Sequence, residues 1–175
     1  IRSYLRLELL FQLLAELIEG EAAVSHHFAL QTMFDIMEVA NRPDLKSHIL
    51  KDLERQRCFV DTFRGNPAVS TASLNATIER LDSAFARLNS QHGKPGQELT
   101  ASEWLMGIRS RLAIPGGTCA FDLPSYHAWQ HQDASIRRRD LLHWKGSLQP
   151  LEDAVLLLLH MLRSTEKAQM MLVSA

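Results

Sequence analysis

Apolar residues recur at intervals of three and four over almost every window of this 175-residue chain, and the Thr-Val-Ile runs that mark β-strands are missing. The spacing predicts an all-α architecture, a multi-helix bundle. Leu5, Leu9, Leu13 and Leu17, widened by Leu10, Leu14 and Ile18, predict a core-facing first helix over about residues 2–19. Projected at about 100° per residue, Arg2 and Arg6 fall among these leucines, inside the apolar arc rather than opposite it. A second helix near 24–41 offers Phe28, Met33, Phe34, Ile36 and Met37 for burial. Arg42-Pro43 ends it, because the residue before proline avoids the helical region.

Pro43 or Asp44 opens a third helix, in which Ile49, Leu53, Gln56, Val60 and Phe63 recur at alternating intervals of four and three until Gly65, Asn66 and Pro67 close it. A fourth, over 71–90, repeats that spacing with Leu74, Ile78, Leu81, Phe85 and Leu88. Two such seams joined by a short turn predict a long antiparallel, coiled-coil-like hairpin. Gln91 to Gln97 reads as a loop, and Thr100 with Glu103 as a capping box for a fifth helix. Further helices are predicted near 124–131, 134–145 and 150–172. The last begins apolar all round, from Val155 to Leu159 with Met161 and Leu162, and is expected at the centre of the bundle.

The sixteen residues Ile114 to Trp129, IPGGTCAFDLPSYHAW, are the most specific stretch. Pro115, Gly116 and Gly117 must stop the fifth helix near Ala113 and turn the chain. Cys119, Phe121 and Leu123 alternate with smaller or polar residues and predict an extended plug into the core. Asp122 is placed to accept from the first amides of the next helix, with Pro124 in its first turn, where a missing N–H costs nothing.

With 46% hydrophobic residues, the chain has enough apolar material for one core, and residues 1–175 are expected to form a single helical domain. Its formal net charge of −1 supplies no global field to attract nucleic acid or an anionic membrane. The charge is uneven: residues 104–147 carry 6 Lys/Arg against 3 Asp/Glu, a local 6 − 3 = +3. Cys58 and Cys119 stand far apart without metal or redox spacing, which fits a reducing cytoplasm. The longest apolar run, Ala154 to Leu159, falls far short of the roughly 20 residues of a membrane span. Ile1 stands inside a helical repeat, and apolar spacing persists through Met170, Met171, Leu172 and Val173. The chain therefore reads as an excised piece of a longer protein.

Cys119, Asp122, Ser125, His127 and His131 crowd together, yet Ser125 lacks the Gly-x-Ser-x-Gly elbow. His127 and His131 have the i, i+4 spacing of zinc ligands without the glutamate of HExxH. Pro115-Gly116-Gly117 is no phosphate loop, since GxxxxGK[ST] is absent. No catalytic site, metal or cofactor is assigned. Basic residues are the better candidates. Arg109 and Arg111 stand in the last turn of the fifth helix, facing the negative end of its dipole. Arg137, Arg138 and Arg139 fan around a helix and read as a solvated face. Arg2 and Arg6, one turn apart among leucines, suit an acidic peptide laid across an apolar groove, because guanidinium offers carboxylates a planar fork of donors.

Four segments, Arg2-Ser3-Tyr4-Leu5-Arg6-Leu7-Glu8, Leu50-Lys51-Asp52-Leu53-Glu54-Arg55-Gln56, Arg109-Ser110-Arg111-Leu112 running into IPGGTCAFDLPSYHAW, and Ser147-Leu148-Gln149-Pro150-Leu151, occur in the order seen in one family. On them the chain resembles the ZapD family of Z-ring-associated cell division proteins. The resemblance implies a cytoplasmic, non-enzymatic protein at the division site that binds the C-terminal tail of FtsZ, dimerises, and bundles FtsZ filaments. Family members combine a helical domain with a β-strand domain, and this chain matches the helical part. Arg2 and Arg6 stand where the family's first helix has its arginines, and His127 at its motif histidine. Arg42 lies near a further basic position, while another falls on Glu103. The expected tail-binding set is thus Arg2, Arg6, Arg42, Arg109, Arg111 and His127. The competing reading is a helical dimerisation or ligand-binding domain of a regulator, and the third a metal-dependent enzyme built on His127 and His131.

Overall fold

A computed structural model describes the backbone of residues 1–173 and the side chains of residues 1–165. It is all-α among those residues, with α1 (Arg2–Glu19), α2 (Ala23–Ala40), α3 (Leu45–Asp61), α4 (Thr71–Ser90), α5 (Glu103–Leu112), α6 (Pro124–Gln130), α7 (Ala134–Lys145) and α8 (Gln149–Val173). Short 3-10 turns at Gln97–Ala101 and Gly146–Leu148 lead into α5 and α8. The expected apolar spacing at Met170, Met171, Leu172 and Val173 lies on side chains outside those described.

α8 is central, as its all-round apolar start predicts. Leu151, Ala154, Val155, Leu157, Leu158 and Leu159 are buried, and the helix packs against α1, α3 and α4. α3 lies against α4, with Arg57 Nε donating to Asp82 at 2.7 Å across the outer edge of the pair. Trp104, Tyr126, Trp129 and Trp144 interlock α5, α6 and α7 through ring centroids 5.5 to 6.0 Å apart. Two of the indole edges find partners: Trp104 Nε1 donates to Ser125 Oγ, and Trp129 Nε1 to Asp140 Oδ2.

α1 buries a different face from the one its leucine spacing predicts. Tyr4, Leu7, Phe11, Leu14 and Ile18 face the core, whereas Leu5, Leu9 and Leu13 are exposed, Leu9 at 64% against 0% for Leu7. Both stripes are leucine-rich. The core takes the one that also carries Tyr4 and Phe11, because aromatic rings bring the larger apolar area and Tyr4 Oη can donate to Asp52 Oδ2 at 2.7 Å. Phe28 on α2, expected inside, is likewise half exposed, while Met33, Phe34, Ile36 and Met37 are buried.

Three local expectations around α5 and α6 are corrected. The N-cap of α5 is Ser102, whose side chain accepts from Leu105 N, and Thr100 belongs to the preceding 3-10 turn. Residues 113–122 form successive turns, closed by bonds such as Gly117 N to Ile114 O and Asp122 N to Cys119 O, so side chains do not alternate. Phe121 consequently points into solvent, 93% exposed, instead of plugging the core. Asp122 makes no capping bond: Leu123 is the N-cap of α6, and Asp122 accepts from Cys119 Sγ at 3.4 Å. Pro124 does occupy the first turn.

The arginine run also departs from a solvated face. Arg137 is 5% exposed and donates to the carbonyls of Glu21, Gln130 and Gln132, while its Nε donates to His26 Nδ1 at 2.9 Å. Arg138 donates to the carbonyls of Ile18, Glu19 and Gly20, capping the C-terminal end of α1 where a cation meets the negative helix pole. Arg139 alone of the three is solvated. Sequence spacing cannot show this, because the carbonyls come from α1, from the end of α6 and from the turns that precede α2 and α7.

His26 is fully buried, and its tautomer is fixed: Nδ1 accepts from Arg137, so Nε2–H donates to Ile18 O at 3.2 Å. Burial holds its pKa below the ordinary value, and the Arg137 charge adds to the shift. Protonation therefore favours the unfolded chain, and stability is full above about pH 6.5 and lost as the pH falls below it.

Two measurements check this description. By urea denaturation, Leu7→Ala is expected to cost about 2–5 kcal/mol and Leu9→Ala less than about 0.5 kcal/mol, the reverse of the order a Leu9-centred core requires. The urea midpoint should drop between pH 6.5 and 5.5, with a shallower drop in His26→Gln.

Candidate functional site

The face of α1 turned away from the core carries Arg2, Leu5, Arg6, Leu9 and Leu13, all exposed. Two guanidinium groups thus stand at one end of a leucine stripe that none of the described residues covers. Across the turn at Gly20, α2 leaves Val24 and Phe28 exposed on its own outer stripe. That stripe continues through Gln31 to Asp35 and Glu38. The Asp35 pKa is raised by partial desolvation and then by the Glu38 charge one turn away.

Arg42 follows the C-terminal end of α2 and reaches back to α1, its NH1 donating to Ser3 Oγ at 3.5 Å. The structure therefore brings Arg2, Arg6 and Arg42 to one end of the α1–α2 pair. No carboxylate lies within 4 Å of any of them among the described residues. Other exposed arginines do have carboxylate partners, as in Arg163 with both oxygens of Glu8 at 2.7 Å and Arg87 with Asp153.

Arg109 approaches the same end from the other flank of α2. Its guanidinium carbon lies 6.0 Å from the Phe34 ring centre, and no carboxylate neutralises it among the described residues. Beside it is Lys94, whose Nζ donates to Asn41 O at 2.9 Å and to Asn41 Oδ1 at 2.8 Å. Lys46 Nζ similarly ties α3 to the carbonyls of Gln91 and Gly93. Sequence reasoning missed both lysines. For Lys94 the only signal was its place between Gly93 and Pro95, in a segment that reads as a plain loop.

The remaining predicted residues are less favourably disposed. Arg111 stands 3.9 Å from Asp122, so part of its charge is answered within the chain. His127 lies on the exposed side of α6, its ring 4.3 Å from that of His131, whose Nδ1 bonds the His127 carbonyl at 2.9 Å. The α6 position is set by Tyr126, whose hydroxyl lies 2.6 Å from His27 Nδ1. Burial lowers the His27 pKa and raises that of Tyr126, so both rings are neutral near pH 7. His27 is thirteen residues from Ala40, roughly 20 Å along the helix, so His127 is far from the Arg2–Arg6–Arg42 group.

The six predicted residues thus divide into an α1 group (Arg2, Arg6, Arg42), a cation beyond the Asp35–Glu38 stripe (Arg109), and an outlying pair (Arg111, His127). Among the described residues no cluster of three or more His, Cys, Asp or Glu side chains has metal-binding geometry. Carboxylate-free guanidinium groups beside uncovered leucines can bind an anionic, partly apolar chain. They contain no activated nucleophile and no acid–base pair.

The family profile described as ZapD, cell division protein, matches residues 5–175. Cell division protein ZapD of Ralstonia pickettii (strain 12J) is 45% identical over 175 residues, covering all of this chain and 69% of the relative. The protein of the same name from Ralstonia nicotianae (strain ATCC BAA-1114 / GMI1000) matches with the same identity and coverage. No described helix is long and apolar enough to cross a membrane.

Proposed function

Since the chain belongs to the ZapD family of cell division proteins, we propose that it acts without catalysis, as a cytoplasmic protein at the division site that binds the C-terminal tail of FtsZ. As a homodimer it would present two tail sites and cross-link FtsZ filaments into bundles. The observation that carries this reading is the outward face of α1, where Arg2 and Arg6, without carboxylate partners among the described residues, adjoin exposed Leu5, Leu9 and Leu13. An acidic and apolar tail finds both of its requirements there.

The physics of the contact follows from the exposure of the groups. Exposed arginines attract an acidic peptide over a Debye length of about 8–10 Å at moderate salt and gain only modest energy each, so binding is fast, weak and salt-dependent. Leucine contacts add a salt-independent part. Weak sites suffice when a dimer presents two of them, because capture of the second filament becomes intramolecular at high effective concentration.

Titrating a fluorescein-labelled FtsZ tail peptide against the chain, read by anisotropy, tests the reading. Affinity should fall several-fold between 50 and about 300 mM salt, and Arg6→Ala should weaken low-salt binding by about three- to ten-fold. Unchanged binding in Arg6→Ala removes α1 from the site. Glu38→Gln, which thins the acidic stripe between the two basic flanks, should strengthen low-salt binding about two-fold and leave high-salt binding unaltered.

A further inference from the structure

Lys94 and Arg109 line one small cavity, of about 150 Å³, between the end of α2 and the 94–100 segment, together with Met37, Asn41, Pro95 and Thr100. The two cations are far apart in sequence and meet only in the fold. Neither has a carboxylate within 4 Å among the described residues. Arg109 is half-buried and makes no hydrogen bond to the protein among the described residues, so none of its five N–H donors is committed to a protein acceptor there. A carboxylate that reaches this guanidinium meets donors for which no described protein acceptor competes.

The cavity is built rather than incidental. Lys94 is fixed by two oxygens of Asn41, which leaves its third N–H for a ligand. Pro95 and Gly96 behind it are buried. Gly96 has φ +78°, and a Cβ there would lie 2.8 Å from Leu148 Cδ2 and 3.0 Å from Met37 Cγ, so the loop is seated against the core at a position that only glycine fits. On the other wall Phe34 backs the Arg109 guanidinium. The C-terminal pole of α2 also points here, and the Lys94 ammonium on Asn41 O offsets it, leaving the Arg109 charge for a ligand.

We propose that this cavity is a carboxylate-binding subsite, in which Lys94 and Arg109 receive an acidic side chain of a peptide ligand. Arg109 supplies the planar fork that a carboxylate accepts side-on, and Lys94 a single point donor. The volume admits one acidic side chain and little more. Asn41 is followed directly by Arg42, which reaches Ser3, so the subsite continues the basic end of the α1 stripe. A peptide on α1 can therefore place its acidic residue here. The inference deepens the reading above, and rests on it only for the identity of the peptide.

The test uses the 175-residue chain with ¹⁵N-labelled arginine and follows the Arg109 Nε–H signal during titration with N-acetyl-glutamate amide, N-acetyl-glutamine amide and inorganic phosphate. The expected result is a saturable shift with the glutamate compound and none with its neutral counterpart. Lys94→Met should weaken that response at least about five-fold, with the circular dichroism spectrum unchanged. Because Lys94 also pins the loop, Arg109→Gln serves as a second variant, and its affinity for the FtsZ tail peptide should fall by a similar factor. Equal shifts with both amides, a response to phosphate alone, or, where the unaltered chain binds the tail, a tail affinity unmoved in both variants overturns the subsite. A glutamate response in a chain that ignores the FtsZ tail sustains the subsite and removes the FtsZ reading instead.

Discussion

α1 carries more apolar surface than one core-facing stripe can use, and the arginine corner at its C-terminal end holds the stripe that is buried. Arg138 caps the carbonyls of Ile18, Glu19 and Gly20, and Arg137 holds Glu21 while its Nε engages His26. These bonds fix both the end of α1 and its rotation about its own axis. With Tyr4, Leu7, Phe11, Leu14 and Ile18 turned inward, the second leucine stripe must face solvent, and Arg2 and Arg6 go with it. Leaving Leu5, Leu9 and Leu13 in water forfeits burial energy that the fold could otherwise collect. Exposed leucines in a row, rimmed by charge, are the signature of a surface kept for a partner.

The bundle itself was legible because periodicity, caps and breakers act locally. Pro43 and Pro67, the Gly-rich 91–97 segment and Pro124 divide the chain as their backbone restrictions require, and the apolar start of α8 marks the helix that packs against three others. What was not legible depends on distant partners. The spacing of α1 allows two core faces, and only the position of Asp52 and of the arginine corner distinguishes them. Arg137 and Arg138 resemble a solvated run until the carbonyls they satisfy are brought within reach. Phe121 fails as a core plug because consecutive turns remove the strand geometry on which alternation depends.

The candidate residues divide along the same line. Arg2 and Arg6 were visible as charges at apolar spacing, although for the wrong reason: the stripe they share is the exposed one. Arg109 is visible as a helix-terminal cation, but that no described residue offers it an acceptor is a tertiary fact. Lys94 has no sequence signal beyond its place between Gly93 and Pro95, since its importance comes from Asn41, fifty-three residues earlier in the chain. His127 and Arg111 belong to the α5–α6 side, away from the exposed stripe of α1.

The central claim is that the leucine stripe outside α1 is a peptide-binding face. Methyl NMR of leucine-labelled chain during titration with the FtsZ tail peptide examines it most directly, since Leu9 and Leu13 lie outside the helix and Leu7 and Leu14 inside. The account predicts saturable shifts of the Leu9 and Leu13 methyl signals with Leu7 and Leu14 nearly unmoved. Shifts absent from Leu9 and Leu13 and concentrated instead around Leu156 and Leu157, on the α4–α8 side, would contradict it.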